Sequence, residues 1–255
     1  MIAITGSPYH DLSDSFTQQD IDHSKVFMDV AEYSARVMGA RHVEQTVSIA
    51  CRHALGYRGV AHLAVPVDVQ EEPFDKDKPS DRDVPHHASL VYADGERFAP
   101  EAEIARAAEL PNGGQRVAIL AGQGAAGAVE ELRETAELLG APIARALFGK
   151  GLMADDDPLT TGGIGLLGTR ASQEVMEGCD TFLIVGSTFP YIEYYPKPGQ
   201  ARGVQIDRDP TRIGLRFQGQ CHGDQPLSLR GCYRLIQRHR PSAGPQLSGG
   251  GPTIS

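Results

Sequence analysis

The sequence predicts an α/β protein in which a parallel, Rossmann-like sheet forms the central domain and part of a second α/β domain precedes it. Short runs of β-branched and apolar residues alternate with segments of helical periodicity, which favours a parallel sheet with helices on both faces. A charged stretch from Glu71 to Asp83 contains Pro73 and Pro79 and almost no apolar residues, so it predicts a linker between two compact units.

The first seventy residues predict one α/β unit. Met1–Gly6 has the character of a strand that ends at glycine, and the polar stretch Pro8–Asp22 predicts a loop. Val26–Val37 has a mixed pattern that favours a short helix, whereas Val43–Leu55 has the apolar spacing of an amphipathic helix. The β-branched run Val60–Val67 then predicts a second strand.

Residues 71–99 are assigned to the linker, residues 100–240 to the central domain, and the Ser-, Gly- and Pro-rich residues 241–255 to a disordered tail. The predicted elements of the central domain alternate in type along the chain. Its helices are predicted at Pro100–Glu109, Val129–Leu139, Ser172–Gly178 and Leu227–His239, and its strands at Arg116–Ala121, Pro142–Leu147, Thr181–Gly186 and, as the last strand, Gly203–Asp207.

Composition and charge disfavour several classes of function. With 24 basic and 33 acidic side chains the formal net charge is −9, which is opposite to the usual bias of nucleic-acid-binding surfaces. No apolar run approaches the roughly 20 residues that span a bilayer, and Met1–Gly6 is too short and uncharged for a signal peptide, so a cytoplasmic location is expected. None of the four cysteines forms a CxxC pair, which predicts buried or incidental thiols rather than structural zinc or a disulfide framework.

The glycine-rich turn Gly122–Gly127 has the spacing GxGxxG between a predicted strand and a predicted helix. Two interpretations are about equally supported: a dinucleotide-binding turn, or a turn needed only for close packing. The next predicted strand ends near Leu147 without an acidic residue, which argues against an ordinary NAD site. A metal site is a weaker explanation than a solvated loop for Asp155–Asp157, and weaker than a polar linker for His86-His87 near Asp83. No GxSxG elbow, which would indicate a hydrolase, occurs.

Three other segments follow predicted strands or have an unusual composition. Thr160–Thr169 has too many glycines for a helix and too many apolar residues for an exposed loop, which suits backbone lying flat against a ligand. Gly186–Tyr191 and Asp207 lie where predicted strands end, and ligands of open α/β sheets bind at those ends. The Asp207 carboxylate could accept a hydrogen bond from a ribose or ribityl hydroxyl, or it could cap the segment that follows.

Several motifs together resemble one enzyme family. They are GIGLLGT, CDTFLIVGSTFPY and GVQIDRDPTRIG between Gly162 and Gly214, and, nearer the front, Gln18-Gln19-Asp20, the run from Phe27 to Tyr33 and the run from Gly59 to Asp68. The chain from Met1 to Gly214 resembles thiamine-diphosphate-dependent enzymes of the pyruvate oxidase (quinone-dependent pyruvate dehydrogenase) and acetolactate synthase type. The resemblance implies that residues 1–70 correspond to the second half of a pyrimidine-binding domain, and that the central domain is of the DHS type.

The resemblance also implies a set of cofactor contacts. In the oxidase branch the central domain binds FAD, and Gln19 matches a glutamine that lies near the active centre. No catalytic residue is assigned, because the family's activating glutamate lies before the matched region and no GDG…N-type motif for thiamine diphosphate and Mg²⁺ occurs in the sequence. The positions that match the family's flavin contacts are Ile164, Gly165, Leu166, Leu167, Ser187, Thr188, Phe189, Pro190, Tyr191 and Asp207.

Three functions are compatible with these patterns. The first is a part of a homo-oligomeric flavoenzyme of pyruvate metabolism that decarboxylates a 2-keto acid, with thiamine as the electron sink and flavin as the electron acceptor, inactive as this chain alone. The second is a stand-alone FAD- or nucleotide-binding module, or an acetolactate synthase-like segment without catalysis. The third is an NAD-dependent deacetylase-like domain, which ranks last because no catalytic histidine lies in a matching motif.

Overall fold

The computed structural model describes residues 1–73, 97–217 and 219–239. The chain divides into two compact units, Met1–Gly95 and Glu96–Ser255. Most of the predicted linker, the pair His86-His87 and the predicted disordered tail lie outside the described residues. At the start of the predicted linker, Glu71 is the last residue of a short helix.

The first unit is a three-stranded parallel sheet with helices beside it. The strand order is β1-β3-β2, and the central strand pairs with both neighbours in parallel. One longer helix packs alanines on the sheet, because Ala50 and Ala54 form a small core with Ala61 and Leu63. The elements are β1 (Ile2–Ser7), α1 (His23–Val26), β2 (Tyr33–Arg36), α2 (Val43–Gly56), β3 (Ala61–Pro66) and α3 (Val67–Glu71).

The helix predicted over Val26–Val37 is wrong. Only Val26 in this range is helical, as the last residue of α1, and Tyr33–Arg36 forms the edge strand β2. Pairing with β3 and packing of Tyr33 and Ala35 against the α2 core determine the conformation, so tertiary contacts override a weak local pattern.

His62 is the buried polar centre of this first unit. Its Nε2 lies 2.9 Å from the Thr5 hydroxyl and its Nδ1 lies 2.8 Å from the Ser34 hydroxyl. Its ring stacks on Phe27 at a centroid distance of 3.9 Å, and the His23 ring lies 6.1 Å away. Burial lowers the pKa of His62 below 6.5, and the nearby His23 charge lowers it further.

We expect the first unit to lose stability as the pH falls below 6.5. The unfolded chain takes up a proton at His62 near that pH, whereas the folded chain takes it up only at lower pH, so unfolding is favoured in the interval between the two. The slope is at most about 1.4 kcal/mol per pH unit for one proton. This slope is measured by hydrogen exchange of the β3 amides between pH 5 and 8, after correction for the intrinsic exchange rates. His62→Gln should remove most of the dependence, and His222→Gln, at a histidine of the second unit, should retain it. Equal dependence in both variants would refute this role.

The second unit is a six-stranded, entirely parallel sheet with the order β6-β5-β4-β7-β8-β9. Its central strands are buried and consist of near-continuous apolar runs such as Val117–Ala121 and Thr181–Val185, as expected when both faces are covered. The elements are α4 (Glu101–Gly113), β4 (Val117–Ala121), α5 (Val129–Leu139), β5 (Ile143–Arg145), β6 (Thr160–Gly163), α6 (Arg170–Gly178), β7 (Thr181–Val185), β8 (Arg202–Asp207), β9 (Gly219–His222) and α7 (Gln225–His239).

Two hydrophobic cores lie on opposite faces of this sheet. Along each strand the side chains alternate, so Ile119 and Leu183 face one core while Leu120 and Ile184 face the other. Helices α4, α5 and α7 cover the first face, which we call the helical face. Helix α6 and a group of aromatic side chains cover the second face, which we call the aromatic face; that group is Phe182, Phe189, Tyr194, Tyr195 and Phe217.

The predicted α/β class with a parallel sheet is confirmed, and two edge strands were missed. Thr160–Gly163 and Gly219–His222 are the two edges of the sheet, so Gly203–Asp207 is not the last strand. Both are short and contain glycine, and therefore lack the β-branched pattern that marks a strand. At Gly219 a Cβ would lie 2.5 Å from the Gly203 carbonyl oxygen, so close strand approach explains this glycine.

Candidate functional site

The strand order places a topological switch point between β4 and β7. The chain leaves β4 toward β5 and β6 on one side, and leaves β7 toward β8 and β9 on the other. The loops that follow β4 and β7 therefore diverge at the carboxyl edge of the sheet, where open α/β sheets bind their ligands. This edge is the candidate cofactor site.

At the switch point, the glycines are required by packing between the two loops. A Cβ at Gly122 would lie 2.4 Å from the Gly186 carbonyl oxygen, and a Cβ at Gly186 would lie 2.5 Å from the Gly124 carbonyl carbon. Gly186 also has φ +58°, and its carbonyl accepts a hydrogen bond from the Gly124 amide at 3.0 Å. Of the two interpretations of the GxGxxG turn, close packing is therefore the one that these contacts support.

The loops after β6 and β7 meet on the aromatic face. Ile164 and Phe189 are buried in the same core, and a Cβ at Gly165, which has φ +107°, would lie 3.4 Å from the Phe189 ring. The Ser187 hydroxyl accepts a hydrogen bond from the Phe189 amide at 3.2 Å, and the Tyr195 hydroxyl donates to the Phe189 carbonyl at 2.9 Å. Ile164 and Phe189 therefore hold the two loops together, whereas Ser187 fixes the loop after β7, and the buried Phe189 ring is not free to cover a ligand.

Large apolar side chains stand exposed beside these loops. Leu166 is 75% exposed and Leu167 is 86% exposed, while Tyr191, Thr188 and Pro190 are also exposed. Sequence reasoning missed Leu147 and Phe148, which follow β5 at the same edge, and Ile192, which follows Tyr191. The sequence feature that could have indicated them is a Leu-Phe pair close to the end of a predicted strand. We call the exposed set the apolar rim: Leu147, Phe148, Leu166, Leu167, Tyr191 and Ile192.

Asp207 ends β8 and is 93% buried, since its exposed fraction is 7%. Val204 and Ile206 belong to the core of the helical face, so by alternation Gln205 and Asp207 lie on the aromatic face. Consistently, the Gln205 side chain donates to the Ser187 carbonyl at 3.2 Å. The Asp207 carboxylate accepts from the Asp209 amide at 3.0 Å, and burial raises its pKa despite this bond. The carboxylate retains lone pairs for a further donor.

Gln19 lies in the first unit, in a loop of unusual backbone geometry. It is exposed and has φ +62°, and Asp14 and Phe16 in the same loop also have positive φ values. The Asp20 carboxylate accepts hydrogen bonds from the amides of Asp14 and Phe16, at 3.1 and 2.9 Å, and so fixes the loop.

Two of the three acids in the run 155–157 form ion pairs, and Asp155 and Asp156 are exposed to solvent. Asp157 pairs with Arg133 at 2.7 Å, and Asp155 pairs at 2.6 Å with Arg145, which is only 3% exposed. The same guanidinium donates to the carbonyls of Lys150 and Met153, so Arg145 fixes the whole loop after β5. Within residues 1–73, 97–217 and 219–239, no three His, Cys, Asp or Glu side chains are grouped as they would be around a metal ion.

Fold and site together define a parallel α/β domain of the kind that binds a cofactor at its carboxyl edge. Comparison with known proteins identifies it further. Residues 104–226 match the family model for the central domain of thiamine pyrophosphate enzymes. A Mycobacterium smegmatis crystal structure, titled as that of a thiamin diphosphate-dependent enzyme, superposes with a TM-score of 0.72 at 22% identity, covering 94% of this chain and 47% of that one, which shows a shared fold.

Curated relatives agree with that match. The Bacillus subtilis protein YdaP, named as thiamine pyrophosphate-containing, is 34% identical over 86% of this chain. A Methanocaldococcus jannaschii protein named as an acetolactate synthase large subunit is 30% identical over 84%, and the Lactiplantibacillus plantarum pyruvate oxidase is 26% identical over 79%. This chain contains the central domain of the thiamine pyrophosphate enzyme family, and its relatives include proteins named as acetolactate synthase and pyruvate oxidase. The chain spans 37%, 37% and 33% of the length of these three relatives, in that order.

Among the described residues, no helix has the length and apolar character needed to span a membrane.

Proposed function

We propose that the second unit binds FAD across the carboxyl ends of β6, β7 and β8, and that the chain serves an enzyme that decarboxylates a 2-keto acid with thiamine diphosphate. The observation that carries the FAD proposal is the combination of exposed Leu166 and Leu167 with buried Asp207 at one edge of one sheet. Apolar side chains suit a flat ring system, and a buried carboxylate suits a sugar or ribityl hydroxyl.

The dimensions of the site favour an elongated ligand. Strands β6 and β8 are four strand spacings apart in the sheet order, which is about 19 Å at ~4.8 Å per spacing. The loop after β6 reaches toward β7, because Gly165 lies against the Phe189 and Tyr191 rings, and this contact makes the apolar part of the site continuous. A ligand that contacts both the apolar rim and Asp207 must therefore extend along the edge of the sheet.

The residues of this chain would have separate roles toward FAD. Leu166, Leu167 and Tyr191 would contact the ring system and exclude water from it, and Asp207 would accept a hydroxyl hydrogen bond. Ile164, Ser187 and Phe189 would position the loops without touching the ligand's polar groups. When bound, FAD would supply a two-electron acceptor.

We also propose that this chain alone does not carry out thiamine chemistry. The 255 residues contain no GDG…N-type motif for the diphosphate and its metal ion. The proposal is tested by supplying pyruvate, thiamine diphosphate, Mg²⁺ and a quinone acceptor to the FAD-reconstituted protein. No substrate-dependent reduction is expected, and turnover would overturn this part of the proposal while leaving FAD binding intact.

Titration of the protein with FAD and, separately, with ADP tests the binding function. We expect the fluorescence of FAD to be quenched on binding and the signal to saturate with added protein. We also expect FAD to bind more tightly than ADP, because only FAD is large enough to reach the apolar rim. Equal affinity for ADP and FAD would instead favour the second candidate, a nucleotide-binding module, in which Leu166 and Leu167 contribute nothing. Absence of binding to either ligand at excess concentration would contradict both candidates.

Asp207→Ala should weaken FAD binding about ten- to a hundredfold. The estimate corresponds to the ~1.5–3 kcal/mol of a hydrogen bond to a charged group. The measurement is the dissociation constant from flavin fluorescence, with Glu174→Gln on the exposed surface of α6 as the control that should bind like wild type. An unchanged dissociation constant in Asp207→Ala would exclude Asp207 from the site.

A further inference from the structure

A cavity of about 630 Å³ lies beside the edge strand β9 of the second unit. Helix α4 forms one wall, and the start of β8 and the segment that leads into β9 form the others. Its lining residues are distinct from the proposed FAD contacts. The side chains that give the cavity its chemical character are Arg106, Glu109, Leu110, Arg202, Arg216 and Phe217.

Two glycines let apolar side chains lie directly on the strands beside this cavity. A Cβ at Gly203 would overlap the Phe217 ring, and a Cβ at Gly219 would lie 2.8 Å from the Leu110 side chain. Because neither position carries a side chain, Phe217 packs on the backbone of β8 and Leu110 packs on that of β9. These two side chains supply the apolar part of the lining.

Three arginines, Arg106, Arg202 and Arg216, line the same cavity. None of their guanidinium groups forms an ion pair with another described residue, whereas Arg133 and Arg145 of the same unit each pair with a carboxylate, at 2.7 and 2.6 Å. Positive charges that line one cavity repel each other, so an anion bound among them is attracted by all three. The lining therefore suits an anionic ligand.

We propose that this cavity binds a small sugar phosphate. Guanidinium groups present forked donors that match the oxygens of a phosphate, so the three arginines hold that end of the ligand. The carboxylates of Glu103 and Glu109 also line the cavity and accept hydrogen bonds from the sugar hydroxyls. Glu103 already accepts one bond from the His222 amide at 3.1 Å and retains lone pairs for another. The apolar wall of Phe217 and Leu110 packs against the C–H groups of the sugar.

The two carboxylates decide between a sugar phosphate and a simple inorganic anion. They repel a ligand that is charged throughout, and they favour one whose second end carries hydroxyl donors. The volume lies within the range of small-ligand sites.

This site is separate from the proposed FAD site. Arg202 begins β8 and Asp207 ends it, so five residue steps, about 17 Å at ~3.3 Å per residue, lie between them.

Isothermal titration of the full chain with ribose 5-phosphate tests the proposal. We expect saturable binding, with ribose and inorganic phosphate each binding about tenfold or more weakly, because each lacks one end of the ligand. Arg106→Gln and Arg202→Gln should each weaken binding of ribose 5-phosphate about tenfold or more. Arg170→Gln is the matched control and should bind like wild type, because Arg170 pairs with Glu174 on the exposed surface of α6.

Three results would overturn the proposal. They are no heat of binding with excess ribose 5-phosphate, equal affinity for inorganic phosphate, which would indicate an adventitious ion only, and unchanged affinity in both cavity variants. Titration of the same variants with FAD separates this site from the proposed cofactor site. Arg202→Gln should bind FAD like wild type, and a matching loss of FAD affinity would contradict a separate site for the sugar phosphate.

Discussion

Gly186→Ala should destabilise the second unit by about 3–5 kcal/mol, the largest effect that we expect of any single substitution in this chain. The added Cβ would lie 2.5 Å from the Gly124 carbonyl carbon and 2.6 Å from the Ala125 nitrogen, which are backbone atoms that cannot rotate away. The φ of +58° adds the strain of a left-handed conformation to that clash. Since both loops of the switch point depend on this contact, we expect FAD binding to be lost with it.

Urea denaturation followed by circular dichroism measures this effect. Gly178→Ala is the matched control, because Gly178 ends α6, has no positive φ, and has no atom within 4 Å of an added Cβ. The control should change the free energy of unfolding by no more than about 0.5–1 kcal/mol. If Gly186→Ala were as stable as this control, close packing between the loops after β4 and β7 would not be what requires glycine at position 186.

Arg145→Met should cost about 2–4 kcal/mol of stability. Methionine replaces the aliphatic part of the arginine side chain. It lacks the guanidinium, which donates hydrogen bonds to the Lys150 and Met153 carbonyls at 2.8 and 2.6 Å. It also removes the partner of Asp155, whose pKa is held below its usual value by the hydrogen bond from Arg145. The loop that carries Leu147 and Phe148 should therefore become less ordered.

Two readouts distinguish this role from general damage. The pKa of Asp155, followed by carbon-detected NMR, should rise toward its usual value in Arg145→Met. Arg170→Met is the control, since Arg170 forms an exposed i,i+4 pair with Glu174 and its loss should change stability by less than about 1 kcal/mol. A stable Arg145→Met protein with an unchanged Asp155 pKa would show that Arg145 does not organise the loop.

The sequence predicts the central strands well because they carry a strong signal. Runs such as Val117–Ala121 are apolar throughout, and Gly140 ends α5 in the left-handed conformation expected of a helix-terminating glycine. The edge strands Thr160–Gly163 and Gly219–His222 escape prediction because glycine has no intrinsic strand preference, and only pairing with a neighbour makes these segments extended. Tyr33–Arg36 in the first unit contains no glycine, but it too is extended because it pairs with β3.

The candidate site is less predictable than the fold. The motifs indicate which segments follow strands, but burial divides neighbouring residues into different roles. Leu166 and Leu167 are exposed, whereas Ile164 and Phe189 are in the core, and nothing in the local pattern separates them. Arg145 could not be identified either, because its partners lie 5 to 10 residues further along an irregular loop.

Hydrogen exchange with and without saturating FAD tests the proposed cofactor site most directly. FAD bound across the carboxyl edge should slow amide exchange in residues 163–168, 186–192 and 207–209, and leave β1–β3 of the first unit unchanged. Protection confined to other segments, or an unchanged exchange pattern in excess FAD, would contradict the assignment of FAD to this edge of the sheet.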